Sequence, residues 1–464
     1  MMEGDVSCFD GLFDGHAHDR TALIEFRKYC AVDEGSSSYL DSLPQGNLMR
    51  FICDVFKAVL DGIDKQEESF ALTDDQKRFR KLTLQCLVNA ANRSKRLREC
   101  IDAESVHFFR AMLRLEAFRD EVLACLVAFA RPLHRKAALC SEYSDLLNDI
   151  ALLWRHSSTT AGQRSWISAL VSIHLEEDYA FLAECLADME DGAFTELLVI
   201  TEALLDHLET GQCVQIHSNN ARFCVILLER IELEIGTLEL PSGDECADES
   251  RRTKLKFDVV ERLSSLVSII SSLALRRPQF DPIFHDDTTA TTIVAHVLEA
   301  IVDYEIMKEN AVVCVAKAPD RPMRPKQSRR EAVKLPFVRN LSALLRRNVA
   351  SEEQIASLKC MCVRALGNLC CESASNQSIV GKQDGVLLLL HCARRLDTDS
   401  PFIMQWAIAA VRHVCTGCPE NQQRLAEIEQ CPSGVVDRDR LLLQLNLRAV
   451  FDSGTGKIRL ERIS

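Results

Sequence analysis

Apolar positions along this chain recur at three- and four-residue spacings and do not alternate. From Leu48 onward, Phe51, Val55, Phe56, Val59, Leu60 and Ile63 fall on one stripe of a helix. The same period returns over 79–91, 105–130, 144–155, 163–175, 178–208, 219–235, 256–276 and 290–315, with Asp, Asn, Gly or Pro at the breaks. The first forty residues, ending in Gly35-Ser36-Ser37-Ser38, read as loosely ordered, and 236–254 reads as a polar loop around Pro241 and Gly243. Residues 317–334 hold three prolines and seven basic residues against two acidic ones, which predicts an exposed linker. The only strand candidate is the C-terminal tail, where Asp452-Ser453-Gly454-Thr455-Gly456 can turn a small hairpin.

Helix after helix with short connectors predicts an all-α array, and a repeat sharpens it. A shift of 45 residues lays Ala365-Leu366-Gly367-Asn368-Leu369-Cys370 over Ala410-Val411-Arg412-His413-Val414-Cys415, and Asn376-Gln377 over Asn421-Gln422. That length fits an armadillo/HEAT-like right-handed helical solenoid, in which the last helix of each repeat lines a concave face. In armadillo proteins that helix carries an Asn able to hold the backbone of an extended peptide. Asn368 and His413 occupy that position here, with Asn89 as a weaker echo in Cys86-Leu87-Val88-Asn89. One turn earlier, where cargo-carrying importins place a Trp, stand Gln85, Arg364 and Ala409. The aromatic clamp is missing, and Gln85, Asn89, Arg364, Asn368 and His413 are the candidate groove positions.

Composition narrows the function. Apolar residues make up 47% and aromatics only 6%, which suits packed helices. A net charge of −13 argues against nucleic-acid binding, and the acidic residues concentrate between 176 and 209, which contains no Lys or Arg. That stretch is expected to be a solvated face, or else a stripe that recruits a basic partner. The N-terminus shows no export signal and no apolar run is long enough to span a bilayer, so the 20 cysteines are expected to be reduced, buried hydrophobes. The sequons at Asn92, Asn340 and Asn376 are then idle.

Three motifs invite other readings. His16 and His18 form a His-x-His that could supply two ligands of a metal-dependent hydrolase, but no strand or further ligand set accompanies them. Cys415 and Cys418 have Cys-x-x-Cys spacing, yet no second ligand pair follows, so a packing role is expected. Trp406 lies in an apolar helix and is expected in the core. No phosphate loop, nucleophile elbow or catalytic dyad is legible, and no metal or other cofactor is expected.

The run Leu366-Gly367-Asn368-Leu369, Asn376-Gln377, Asp384-Gly385-Val386, Ser400-Pro401-Phe402-Ile403, Trp406-Ala407-Ile408 and Glu420-Asn421-Gln422 resembles the C-terminal domain of the ataxin-10 family. Phe337-Val338-Arg339-Asn340-Leu341 is similar to its start, and Gly456-Lys457-Ile458-Arg459-Leu460 to its tail. The resemblance implies a non-enzymatic cytoplasmic armadillo scaffold, also found at perinuclear, centrosomal or midbody sites. It implies links to cytokinesis, basal bodies and neuronal survival or neurite outgrowth, and partners that include a G-protein β subunit and the O-linked N-acetylglucosamine transferase. Self-association is open, and a trafficking adaptor using the basic linker is the alternative. The expected organisation is a loosely ordered segment at 1–45, divergent repeats at 46–315, a linker at 316–336 and the ataxin-10-like domain at 337–464.

Overall fold

A computed structural model describes residues 20–32, 35–60, 72–102, 104–137, 141–177, 180–206, 214–238, 249–316, 335–347, 350–393, 400–429, 447–452 and 457–462. The protein divides into two compact units, Met1–Asn220 and Ala221–Ser464. Both show the solenoid-like packing of an all-α helical repeat, each helix lying against its near neighbours in sequence.

In the first unit the helices are α1 (Arg20–Val32), α2 (Gly35–Ser42), α3 (Gln45–Leu60), α4 (Asp74–Arg93), α5 (Lys95–Glu99) and α6 (Glu104–Leu113). They are followed by α7 (Arg119–Ala137), α8 (Ser141–Leu153), α9 (Ala161–Glu176), α10 (Phe181–Asp188) and α11 (Asp191–Asp206). Helices α1, α4, α7 and α9 pack in succession as one ladder, backed by α3, α6, α8 and α11. Helices α1 and α2 correct the expectation of loose order before residue 40. Leu23, Phe26 and Cys30 form a short apolar stripe that is almost completely buried. Phe51, Phe109, Phe129, Phe181 and Phe194 are also fully buried, each contributing roughly 2–3 kcal/mol of apolar burial.

The second unit begins within α12 (Ser218–Thr237) and continues through α13 (Glu249–Ala274), α14 (Asp281–Phe284), α15 (Thr289–Ala316), α16 (Pro336–Arg346), α17 (Glu352–Cys370), α18 (Ala374–Lys382), α19 (Gly385–Ala393), α20 (Ile403–Cys415) and α21 (Pro419–Glu429). Its ladder is α13, α17, α20, with α15, α18 and α19 behind. Helix α13 starts inside the stretch expected to be a loop, while the basic linker 317–334 lies outside the described residues. The tail is the hairpin expected from its turn residues. Strands β1 (Leu447–Asp452) and β2 (Lys457–Arg462) pair antiparallel, with Leu447 opposite Arg462 and Asp452 opposite Lys457.

Three ladder helices open with the same device. Thr73, Thr160 and Ser351 each accept from the backbone N–H three residues on, while Gln76, Gln163 and Gln354 accept in return from the cap's own N–H. This reciprocal box satisfies donors that a helix start leaves orphaned, so α4, α9 and α17 begin at defined positions.

Candidate protein-binding face

The ladder helices carry all five candidate groove residues, Gln85 and Asn89 on α4, Arg364 and Asn368 on α17, and His413 on α20. All five are half-buried, placed neither in the core nor fully in solvent. Gln85 and Asn89 share the first unit, and Arg364, Asn368 and His413 share the second.

At the repeat-equivalent position, each side chain bonds to the helix before it in the ladder. Asn89 Nδ2 donates to the Arg27 carbonyl of α1 at 3.3 Å. Asn368 Nδ2 donates to both the carbonyl and the hydroxyl of Ser271 on α13, each at 3.0 Å. His413 Nδ1 lies 2.9 Å from the Gly367 carbonyl of α17, so the proton on that nitrogen is the donor. The amide N–H groups that could hold a peptide backbone therefore stitch the ladder together. The carbonyl oxygen of Asn368 is left as the end of the amide able to accept from outside.

The neighbouring position is occupied differently in the two units. Gln85 Oε1 accepts from Arg27 Nη1 at 2.8 Å, and Arg93 Nε reaches the Cys30 carbonyl at 2.8 Å, so α4 closes the C-terminal end of α1. On α17 the Arg364 guanidinium lies over the Trp406 ring, 5.9 Å from its centroid. Trp406 was expected in the core, yet it is half-buried beside the groove. The ring that a clamp would offer to a partner's cation instead holds a cation from this chain.

The Gly367 carbonyl is reachable because α20 comes very close. A Cβ at Gly367 would sit 3.3 Å from the Ala410 backbone and side chain, a distance only glycine accepts without adjustment. The Asn-Gln pairs complete the seam. Asn376 Nδ2 donates to Phe284 O at 2.7 Å and Leu369 O at 2.8 Å, and Asn421 Nδ2 to Gln377 O at 2.8 Å and Val414 O at 3.0 Å. Asn340 is equally committed, its amide donating to Ile235 O at 2.8 Å and Leu238 O at 3.0 Å.

Four acidic residues of the 176–209 stretch are met from within the chain. Glu176 and Glu177 pair with Arg131, Glu177 also with Arg135, Glu196 with Arg155 at 3.0 Å, and Glu184 with His134 at 3.2 Å. The arginines come from α7 and from just after α8, and His134 of α7 meets Glu184 as a neutral ring, pairings that sequence spacing does not reveal.

Burial pushes the Cys415 thiol up, and pushes Cys370 higher still, which keeps both protonated and unreactive at neutral pH. The described cysteines are free thiols, most of them buried. His16 and His18 lie outside the described residues. Among the described residues no three His, Cys, Asp or Glu side chains gather as a metal site, and no helix is long and apolar enough to cross a membrane.

In comparison with known proteins, residues 358–461 match the family described as the spinocerebellar ataxia type 10 protein domain. Ataxin-10 of Xenopus tropicalis is 33% identical over 102 residues, which is 22% of this chain and 20% of that protein. The ataxin-10 homolog of Dictyostelium discoideum is 32% identical over 110 residues, 23% of this chain and 17% of that one. The matched segment thus spans about a fifth of the curated relatives. An engineered protein of known crystal structure aligns with 88% of this chain and 98% of its own, at 12% identity and a TM-score of 0.29, too loose a likeness to carry an argument.

Proposed function

We propose that this chain is a non-enzymatic scaffold of the ataxin-10 kind that binds partner proteins on its ladder face, a reading supported by the similarity of its C-terminal segment to that family at moderate identity. The observation that carries this reading is the Arg364–Trp406 pair beside Asn368 and His413. A cation held over an aromatic ring, next to a free amide oxygen, offers an extended segment both an apolar wall and a positive charge. The preferred partner segment is acidic or rich in backbone carbonyls, the reverse of the basic cargo that an aromatic clamp would select. Gln85 and Asn89 serve the same face of the first unit.

By the same reading the scaffold works in the cytoplasm and at centrosomal or midbody sites, in cytokinesis and in neuronal survival or neurite outgrowth. A G-protein β subunit and the O-linked N-acetylglucosamine transferase are the partners proposed first, and self-association is proposed as a further property.

The test is affinity capture with the intact protein and an Arg364→Glu variant, both confirmed helical by circular dichroism. Arg364 reaches Trp406 on α20 just as Asn368 ties α17 to α13, so the circular-dichroism control is part of the test. Loss of partners from the variant alone supports the face. The same partners at the same yield on both would move binding elsewhere, first to the remaining acidic surface of 176–209.

A further inference from the structure

Helix α20 presents one row of side chains to the ladder face. Phe402, at its N-cap, is followed by Trp406, Ala409 and His413 at spacings of four, three and four, which puts them on one stripe. The Trp406 N–H bonds to the Phe402 carbonyl at 3.1 Å, so the two residues stand one turn apart on the same side. The 45-residue offset lays this row over Ser357, Met361, Arg364 and Asn368 of α17, which packs directly against α20. Neither row contains a carboxylate.

The level of Ala409 is left open. Its counterpart Arg364 leans to Trp406, 5.9 Å from the ring centroid. One turn on, Asn368 is drawn the other way, donating to Ser271 on α13, and His413 is held 2.9 Å from the Gly367 carbonyl. Ala409 is exposed, and only its methyl group separates the Trp406 ring from the His413 imidazole along the row. Seven residues of helix part those two, roughly 10 Å along the axis, which is room for one flat side chain between them. Phe402, 63% exposed, carries the aromatic wall a further turn past Trp406.

The chemistry of the occupant follows from these walls. A cation over the ring, with no acidic residue in either row, favours a carboxylate at Arg364. The Trp406 ring favours a second ring beside it, since aromatic pairs settle offset or edge-to-face with centroids roughly 4.5–7 Å apart. In an extended segment, side chains two positions apart share a face and lie roughly 6.5 Å from each other. That span carries an aromatic residue to the level of Ala409 when an acidic residue two positions away meets Arg364.

Resting on the ladder face as the binding surface, we propose that the second unit selects an extended segment with an acidic and an aromatic residue two positions apart, its carboxylate on Arg364 and its ring seated over Ala409 against Trp406. Ala409 is then a specificity position. Because the equivalent residue of the preceding repeat is Arg364, the ring has a single seat on these two helices.

Fluorescence anisotropy on the full chain tests this with short labelled Gly/Ser peptides carrying Glu-Ser-Phe, Glu-Ser-Ala or Lys-Ser-Phe at their centre. The Glu-Ser-Phe peptide should bind about tenfold more tightly than Glu-Ser-Ala, and Lys-Ser-Phe more weakly than either. Ala409→Leu, which fills the seat from an exposed position, should erase the gain from Phe while keeping the preference for Glu over Lys. Ala409→Gln fills the same space with a side chain at home on an exposed helix, and it supplies the readout if the Leu variant fails to fold. Equal binding of Glu-Ser-Phe and Glu-Ser-Ala to the wild-type chain, or a Phe gain that survives both Ala409 variants, would overturn the proposal. Release of both acidic peptides by Arg364→Glu would in that case still uphold the ladder face. Binding of neither acidic peptide to the wild-type chain would overturn both.

Discussion

The two units stack their helices with different side chains. In the first, aromatic and imidazole stacking is added to single amide bonds such as Asn89 to the Arg27 carbonyl. Phe56 stacks on Phe108 at 3.9 Å, and His174 stacks on Phe181 at 4.8 Å while its Nε2 lies 3.2 Å from the Tyr143 hydroxyl. His134 sits 5.5 Å from His174, between that ring and Glu184. In the second, the seams are amides at fixed repeat positions, with Asn376, Gln377, Asn421 and Gln422 donating to helix-end carbonyls. Imidazole seams titrate and tolerate varied partners. Amide seams do not titrate, and they demand one geometry, so they leave a legible period in the sequence.

Acid should separate the two most strongly. Burial pulls His174 down to about 3, with the charges of His134 and Arg131 adding to it, and burial likewise pulls His134 down to about 4. Both are neutral when folded, while an unfolded imidazole takes its proton near 6.5. The unfolded state therefore binds more protons as pH falls through 6.5 toward 4, and stability is lost across that window, on the order of a few kcal/mol. In the second unit burial works to raise Glu305, but the His391 ring 3.6 Å away and the Lys359 hydrogen bond at 2.6 Å hold it below the usual carboxylate range. Its contribution is present at neutral pH and is lost only as pH falls below about 4.5. Exchange rates between pH 6.5 and 5, corrected for intrinsic chemistry, should rise more in α7–α10 than in α17–α20, where the seam is mostly amide and His413 is its imidazole. His174→Phe should flatten the first response. A uniform response across both units would erase the distinction.

Removing one amide comes next. Asn376→Ala orphans two buried carbonyls and leaves a small void, so a loss of about 2–3 kcal/mol is expected by denaturant titration. Gln377→Ala should cost about 1–2 kcal/mol and Gln422→Ala less than about 0.5, because Gln377 is buried and bridges two repeats while Gln422 is exposed and bridges none. Equal losses at 377 and 422 would mean that the repeat offset does not govern these bonds.

This contrast also explains what the chain disclosed in advance. Helical period exposed the fold from residue 48 onward, and the Asn-Gln recurrence exposed the repeat, because amide geometry forces identical residues at one offset. Helices α1 and α2 stayed hidden, since Leu23, Phe26 and Cys30 are too short a stripe among polar neighbours to stand out. The groove positions were legible as positions but not as chemistry. That Asn368 donates to Ser271, and that Trp406 holds Arg364, depends on how successive helices stack across 97 and 42 positions of sequence. A Trp among apolar neighbours reads as core until its partner from the preceding repeat is in place.

The smallest predicted effect is the most direct check of the repeat. Glu372 follows α17 with φ 54°, a left-handed conformation that L side chains adopt at some cost, and its counterpart 45 residues later is Gly417, with φ 76°. One repeat meets the turn with glycine and the other with a strained glutamate. Glu372 gains in return a 3.2 Å contact with Arg277, but its side chain is 84% exposed and such a pair is weak. The strain is on the order of 1 kcal/mol and the lost pair is worth less. Glu372→Gly should therefore stabilise the second unit by about 0.5 kcal/mol, a rise of roughly 1–2 °C in Tm by calorimetry. A lower Tm would show that Arg277, which also donates to the Cys371 carbonyl at 2.9 Å, needs the carboxylate to hold the end of α17. The two repeats would then share a backbone path while securing it by different bonds.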